Sequence, residues 1–379
     1  MIYVQHLLGI GHLQRSLLLA AELARHDFSV ELVSGGRPQN LTMPAGVQLH
    51  QLPPLHSPDG SFTRLLDQQG NAIDDELRER RKLQLLEIFT SCAPQVLITE
   101  TFPFGRRMMR FELIPLLEAA RTSAICIQVI ASVRDILQPK SRPGRNEETC
   151  DLVANFYDHV LVHGDRKIAA LEESFPLADS ISDRIYYSGY ICTSKQAKAV
   201  DADGNNEVLV SAGGSTTGLD ILKAALEAKP LSILKDMPWR ILVSPSIDEP
   251  RFEALQRMAG EGIRIERNRP DFSELVKRAR LSISQAGYNT ITDILNSTTA
   301  AVVIPYADAD EMEQTMRSQK LHRLNRLVML PQSELSAENL ASAIEQADRQ
   351  SQSLEVNLDG AANSAGMISQ WLQTAQIST

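Results

Sequence analysis

The sequence has little that would staple or anchor it. Four cysteines, Cys92, Cys126, Cys150 and Cys192, are scattered through 379 residues without paired spacing, so neither a disulfide framework nor a zinc site is expected and reduced thiols are the default. No apolar run approaches the ~18 residues that cross a bilayer. The opening MIYVQHLLGIGHLQ lacks a basic leader and a small-residue cleavage site; it reads as a buried first strand and points to a cytoplasmic protein. A basic excess is lacking too, for the net charge is −9, which argues against a general nucleic-acid binder. With 43% hydrophobic and 22% charged residues, the composition is that of a soluble globular protein, long enough for two domains.

What is present is a twofold alternation of apolar strands and helical patterns, the signature of parallel sheets covered by helices. In the first half strands are expected at 2–6, 30–33, 95–99, 124–131, 159–163 and 184–187. Leu13, Leu17, Ala20, Ala21 and Ala24 recur at helical spacing between the first two, and 73–91 is a second helix. Residues 193–206, TSKQAKAVDADGNN, are polar and carry neither pattern, so they read as a linker between domains at 1–192 and 207–379. The second half repeats the alternation at 208–211, 240–244, 263–266, 281–284, 301–304 and 328–330. A final helix, 361–373, with Met367, Ile368, Trp371 and Leu372, is placed to cross back to the first domain.

Three strand-to-helix turns carry the chemistry. Val208 to Leu226, VLVSAGGSTTGLDILKAAL, runs a buried strand through Gly213 and Gly214 into a helix, with Ser215, Thr216 and Thr217 as hydroxyl donors. Glycines admit close backbone approach, and a helix N-terminus favours a diphosphate. A second turn, LGIGHLQRS at 8–16, breaks the dinucleotide fingerprint because its third position is Gln14, which disfavours a nicotinamide enzyme. It offers instead His12, after Gly11 and at the edge where open α/β sheets bind ligands, as a general base. A helix-capping role is the alternative. In the third, LSISQAGYNTITDILN at 281–296, Gln285, Ala286, Gly287, Asn289 and Thr290 line the turn. Asp293, one helical turn below, can accept both hydroxyls of a ribose; a first-turn acid welcomed by the helix dipole is the alternative.

SAGGSTTG at 211–218, SQAGYNTITDIL at 284–295 and IPYADADEMEQ at 304–314 together resemble the nucleotide-sugar-binding domain of GT-B glycosyltransferases, family 28 above all. The early GIGH is similar to a shortened form of that family's N-terminal glycine loop. The resemblance implies two Rossmann-like, doubly wound α/β domains facing a central cleft. It also implies that Gly213, Gly214, Ser215 and Thr216 meet the donor diphosphate, Asp293 the ribose and Gln314 the donor sugar, with His12 near the reaction centre. The chain departs from the family in having fewer glycines in the first loop, Asp at the usual Glu, and one residue more before Gln314. Glu313 and Gln314 therefore compete for one role.

The expected activity is hexosyl transfer from a nucleotide-sugar, UDP-linked, to a glycan or lipid-linked acceptor by an inverting displacement. No cofactor is expected. Asp308 and Asp310 form a DxD without further converging oxygens, and a helix N-terminus can offset the leaving diphosphate, so no metal is expected either. Gly11, Arg106 and Arg134 are assigned to the acceptor side. TFPFGRRMMRF at 101–111 mixes Arg106, Arg107 and Arg110 with Phe and Met, which suits either a membrane surface or a helix with a buried apolar face. The basic loop at 140–145 can cover an anionic acceptor. The alternatives are a nucleotide-sugar 2-epimerase, for which His12 lacks a convincing acid–base partner, and a non-catalytic nucleotide-sugar-binding subunit.

Overall fold

The computed structural model describes residues 1–7, 9–58, 64–139, 142–192, 203–213, 218–307, 312–350 and 354–377. They fall into two compact units, Met1–Ile191 with Asp359–Thr379, and Cys192–Leu358. The strands of the first unit are β1 (Ile2–Val4), β2 (Val30–Ser34), β3 (Val47–Gln51), β4 (Val96–Glu100), β5 (Gln128–Arg134), β6 (His159–His163) and β7 (Ile185–Tyr187). They form one sheet in the order β3-β2-β1-β4-β5-β6-β7, with every pairing parallel. Helices α1 (Gly11–Arg25), α2 (Asp75–Cys92), α3 (Arg110–Arg121) and α4 (Arg145–Phe156) cover it. On one face Tyr3, Leu97, Val129 and Val160 meet Leu85 and Phe89 of α2, Leu113 and Leu117 of α3 and Val153 of α4. On the other, Ile2, Val4, Ile98 and Ile130 meet Leu13, Leu19, Ala20 and Leu23 of α1. Central strands buried on both faces explain the unbroken apolar runs in the sequence.

The second unit repeats the plan. Strands β8 (Val208–Ser211), β9 (Trp239–Val243), β10 (Ile263–Arg267), β11 (Leu281–Gln285), β12 (Ala300–Ile304) and β13 (Val328–Met329) lie in the order β10-β9-β8-β11-β12-β13, again all parallel. The helices are α5 (Leu219–Ala228), α6 (Glu249–Met258), α7 (Phe272–Arg278), α8 (Tyr288–Leu295), α9 (Glu313–Arg323) and α10 (Ala337–Arg349). Val208, Val210, Ile283 and Val302 pack with Leu222 of α5, Leu255 of α6 and Ile344 of α10. In both sheets the strand order reverses beside the first strand, between β1 and β4 and between β8 and β11. Ligands of such sheets bind beyond the C-terminal strand ends at that point.

The helix α11 (Gly360–Ile377) belongs to the first unit, so the second ends at Leu358 rather than continuing to the last residues. Its Ala365 and Ile368 are buried with the α1 face of the first sheet, and Trp371 stacks on His159 of β6 at 3.7 Å between centroids. The expected linker is also shorter. Of 193–206, residues 193–202 lie outside the described residues, whereas Asp203 is fastened to the second unit by Arg240 (2.6 Å), Arg269 (2.7 Å) and Arg264 (3.3 Å).

Two strands differ from expectation for physical reasons. β3, VQLHQ, is an edge strand with two of its five residues exposed and none fully buried, so it has no apolar run to announce it. β5 lies at 128–134 rather than 124–131, because it continues through a buried polar residue, Ser132, whose hydroxyl is fully engaged with Glu100 and His163.

Candidate active site

At the switch point of the first sheet, β1 leads through the Gly9–Gly11 turn into α1, and β4, its neighbour, ends at Glu100. His12 stands in the first turn of α1, whose N-cap Ile10 provides no side-chain cap. Its Nδ1 lies 2.9 Å from Glu100 Oε1 and 3.2 Å from Thr101 Oγ1. Arg15, one turn along α1, donates to the same carboxylate oxygen, and Ser132 donates to the other, Oε2, at 2.6 Å. Burial would raise the Glu100 carboxyl, but the Arg15 charge and the bonds from His12 and Ser132 outweigh it and hold the acid far below the usual carboxylate range. For His12, burial first and the Arg106 charge second push the imidazole well below its ordinary value, against the upward pull of Glu100. The ring is therefore neutral near pH 7, with Nδ1–H on a permanent carboxylate and the lone pair on Nε2. That is the form a general base needs.

Gly11 opens α1 beside His12. Arg106 lies in the left-handed region (φ 55°) and donates from Nε to the Gln5 carbonyl at 2.9 Å. Gln5 is itself held by the buried Arg81, which donates to its Oε1 at 3.0 Å and pairs with Glu112 at 2.7 Å. Burial and the charge of Arg134, the last residue of β5, lower Arg106 to about 10. Both arginines act on His12, so the structure gathers the three at one strand edge. The remainder of the 101–111 segment is engaged within the first unit. Phe102, Phe104 and Met109 are buried, Met108 and Phe111 pack against the same core, and Arg107 and Arg110 both pair with Glu148 of α4.

The corresponding edge of the second sheet carries the other two glycine turns. Gly213 follows β8 at φ +75°, and a Cβ there would stand 3.1 Å from Gln285 Oε1 at the end of β11. The positive φ favours glycine, and a side chain there would also have to displace the Gln285 amide. Gly214, Ser215 and Thr216 lie outside the described residues, as do Asp308 and Asp310. Gly218, which the sequence reading passed over, closes the turn: a Cβ would meet that of Ala212 at 2.2 Å. Beyond β11, Ala286 is buried and Gly287 is the N-cap of α8, with half-buried Asn289 and Thr290 in the first turn. Among the described residues nothing lies within 4 Å of a Cβ built at Gly287, which leaves the turn open to a ligand.

Asp293 is buried on α8 and accepts from Ser273 Oγ of α7 at 2.6 Å. Burial, only partly offset by Ser273 and Lys277, raises its carboxyl to about 6. Glu313 and Gln314 differ in how they are engaged. Glu313 is 2% exposed and committed to Arg317 at 2.8 Å, and Arg317 lies over the Tyr288 ring at 5.3 Å. Gln314 uses its Oε1 to accept from the Tyr306 amide at 3.1 Å, which orients its amide nitrogen for another partner. Glu100 and Ser132 were missed by the sequence reading; the one available signal was an acid closing the apolar run QVLIT.

Residues 208–370 match the model of the glycosyltransferase family 28 C-terminal domain. That match, to the family 28 C-terminal domain, spans under half of the chain and lies within the second unit and the start of α11. An uncharacterized glycosyltransferase of Methanopyrus kandleri is 31% identical over 146 residues. That match spans 38% of this chain and 39% of the length of the relative. Among solved structures, the glycotransferase of kitacinnamycin is similar over 98% of both chains (TM-score 0.64, 16% identity). An O. sativa protein in complex with UDP is similar over 98% of this chain and 100% of its own (0.63, 14%). MurG of Acinetobacter baumannii is similar over 97% and 99% (0.57, 14%). The family 28 domain and the α/β unit that accompanies it thus have the GT-B fold.

Proposed function

We propose that the protein is a glycosyltransferase that moves a sugar from a nucleotide-linked donor, UDP-linked by preference, onto a hydroxyl of an acceptor bound by the first unit. The observation that carries this reading is the His12–Glu100 pair at the switch point of the first sheet, in a chain whose second sheet bears two glycine turns within a family 28 domain. In the reaction, the acceptor oxygen bonds to the anomeric carbon as the bond from that carbon to the diphosphate breaks. His12 Nε2 takes the hydroxyl proton, and Glu100 stabilises the imidazolium that results. A single displacement inverts the anomeric centre.

On the donor side, the turn at Gly213 and the N-terminus of α5 receive the departing diphosphate, Asp293 accepts from the ribose hydroxyls, and the Gln314 amide meets the sugar. The helix terminus supplies the charge stabilisation, so the proposal requires no metal. On the acceptor side, Arg106 and Arg134 favour a molecule that carries negative charge, a lipid-linked or cell-envelope glycan among them. Two of the similar structures hold UDP and thymidine diphosphate respectively, so both nucleotides belong in the test. Calorimetric titration in EDTA should show micromolar binding of UDP, weaker binding of thymidine diphosphate, and a weakening of both by about 10- to 100-fold in Asp293→Ala. Absence of binding by either nucleotide would overturn the reading.

A further inference from the structure

The interior beneath His12 holds a second histidine that the proposed reaction does not use. His163, the last residue of β6, is fully buried, and its Nε2 lies 2.9 Å from Ser132 Oγ while its Nδ1 lies 2.9 Å from Ser188 Oγ. Ser132 stands in register with Glu100 across the β4–β5 pairing. The proton inventory fixes the direction of the links from Glu100 to His163. Glu100 is an anion and only accepts, so the single Ser132 proton goes to Glu100 Oε2. Ser132 Oγ must then receive its other bond from His163 Nε2–H. Burial first, and the Arg15 charge second, push His163 down to about 3, so it is neutral, with Nδ1 facing Ser188, whose hydroxyl also reaches the Gly189 carbonyl at 3.0 Å. The Nε2–H tautomer of His163 is thus selected from the Ser132 side, where the Glu100 anion takes the only hydroxyl proton.

We propose that Ser132 and His163 are positioning residues for the proton transfer, holding the Glu100 carboxylate so that its other oxygen, Oε1, selects the Nδ1–H tautomer of His12. Oε2 is anchored from the β5–β6 side, and Oε1 is thereby turned towards α1, where His12, Arg15 and Thr101 meet it. Without the anchor the carboxylate rotates. His12 then exchanges its proton between ring nitrogens, and the fraction with a free lone pair at Nε2 falls. The inference rests on the reading of His12 as the base, but it concerns residues that touch neither donor nor acceptor.

Ring-nitrogen NMR on protein labelled with 15N-histidine tests it without a known acceptor, with the two signals assigned through His12→Gln and His163→Gln. In the wild type, His12 should be in the Nδ1–H form and His163 in the Nε2–H form. Ser132→Ala and His163→Leu should each convert His12 to a mixture of tautomers. Ser132→Thr, which keeps the hydroxyl, and His163→Gln, which keeps a donor towards Ser132, should restore the single form. Amide chemical-shift dispersion and the urea-unfolding midpoint of the first unit report that each variant is folded. A wild-type His163 in the Nδ1–H form, or a His12 tautomer indifferent to Ser132→Ala and His163→Leu, overturns the inference and leaves the transferase reading standing. A wild-type His12 protonated at Nε2 overturns both.

Discussion

Glu100 and Asp293 are both buried carboxylates near the C-terminal edge of a parallel sheet, each beside a glycine turn, yet their surroundings are opposite. Glu100 is met by a guanidinium, an imidazole and two hydroxyls and is held far below the usual range. Asp293 is met by the Ser273 hydroxyl and is pushed up to about 6. The first is complete before any ligand arrives, as suits a group that must orient a base. The second is short of donors, as suits a group that waits for two ribose hydroxyls.

The same change, carboxylate to amide, should therefore have opposite effects at the two sites. Glu100→Gln leaves Arg15 buried without its anion and should destabilise the first unit by ~3–5 kcal/mol in urea unfolding. His12→Ala keeps that pair intact; turnover should fall by ~10²–10⁴ with UDP affinity unchanged by calorimetry. A loss of UDP binding there would erase the division of labour between the two edges. Asp293→Ala should weaken UDP by about 10- to 100-fold, the range for hydrogen bonds to a charged group. Asp293→Asn should instead stabilise the second unit, by about 1–3 kcal/mol at pH 8. The sign follows from a folded pKa above the unfolded one: ionisation is disfavoured by the fold above about pH 6, and that penalty is gone below the ordinary Asp range. Protonation of Asp293 should also reduce UDP affinity about fivefold between pH 6 and pH 5. Glu100, with its pKa depressed, stays ionised there, and its contribution to stability is lost only as pH falls below the ordinary carboxylate range.

The legible parts of this chain were those written in apolar periodicity and glycine. Every strand of the second sheet was located to within a residue or two, β8, β9, β11 and β12 because all their residues are buried, and α1 was read from the spacing of Leu13, Leu17 and Ala20. His12, Gly213 and Gln285 were visible because turns between strand and helix leave a local pattern. Glu100 was not, since nothing in the sequence near residue 100 says that residue 12 will stand beside it. Ser132 was hidden for a related reason: a polar residue inside a strand reads as the end of that strand unless its buried partners are known. The 101–111 segment was legible as two alternatives, because Phe, Met and Arg in succession look alike whether they face lipid or a core, and here Phe102, Phe104 and Met109 join the core while Arg110 meets Glu148.

The α11 helix gives the two units unequal histories. Residues 192–358 form an insertion between Ile191 and Asp359, and the helix that covers the α1 face of the first sheet is translated after all of them. As the chain leaves the ribosome, β1 to β7 emerge before β8, yet the later-starting unit is the first to have its strands and helices complete. The earlier one meanwhile waits with Ile2, Ile98 and Ile130 on a half-covered sheet, and completes its core only when Ala365 and Ile368 emerge.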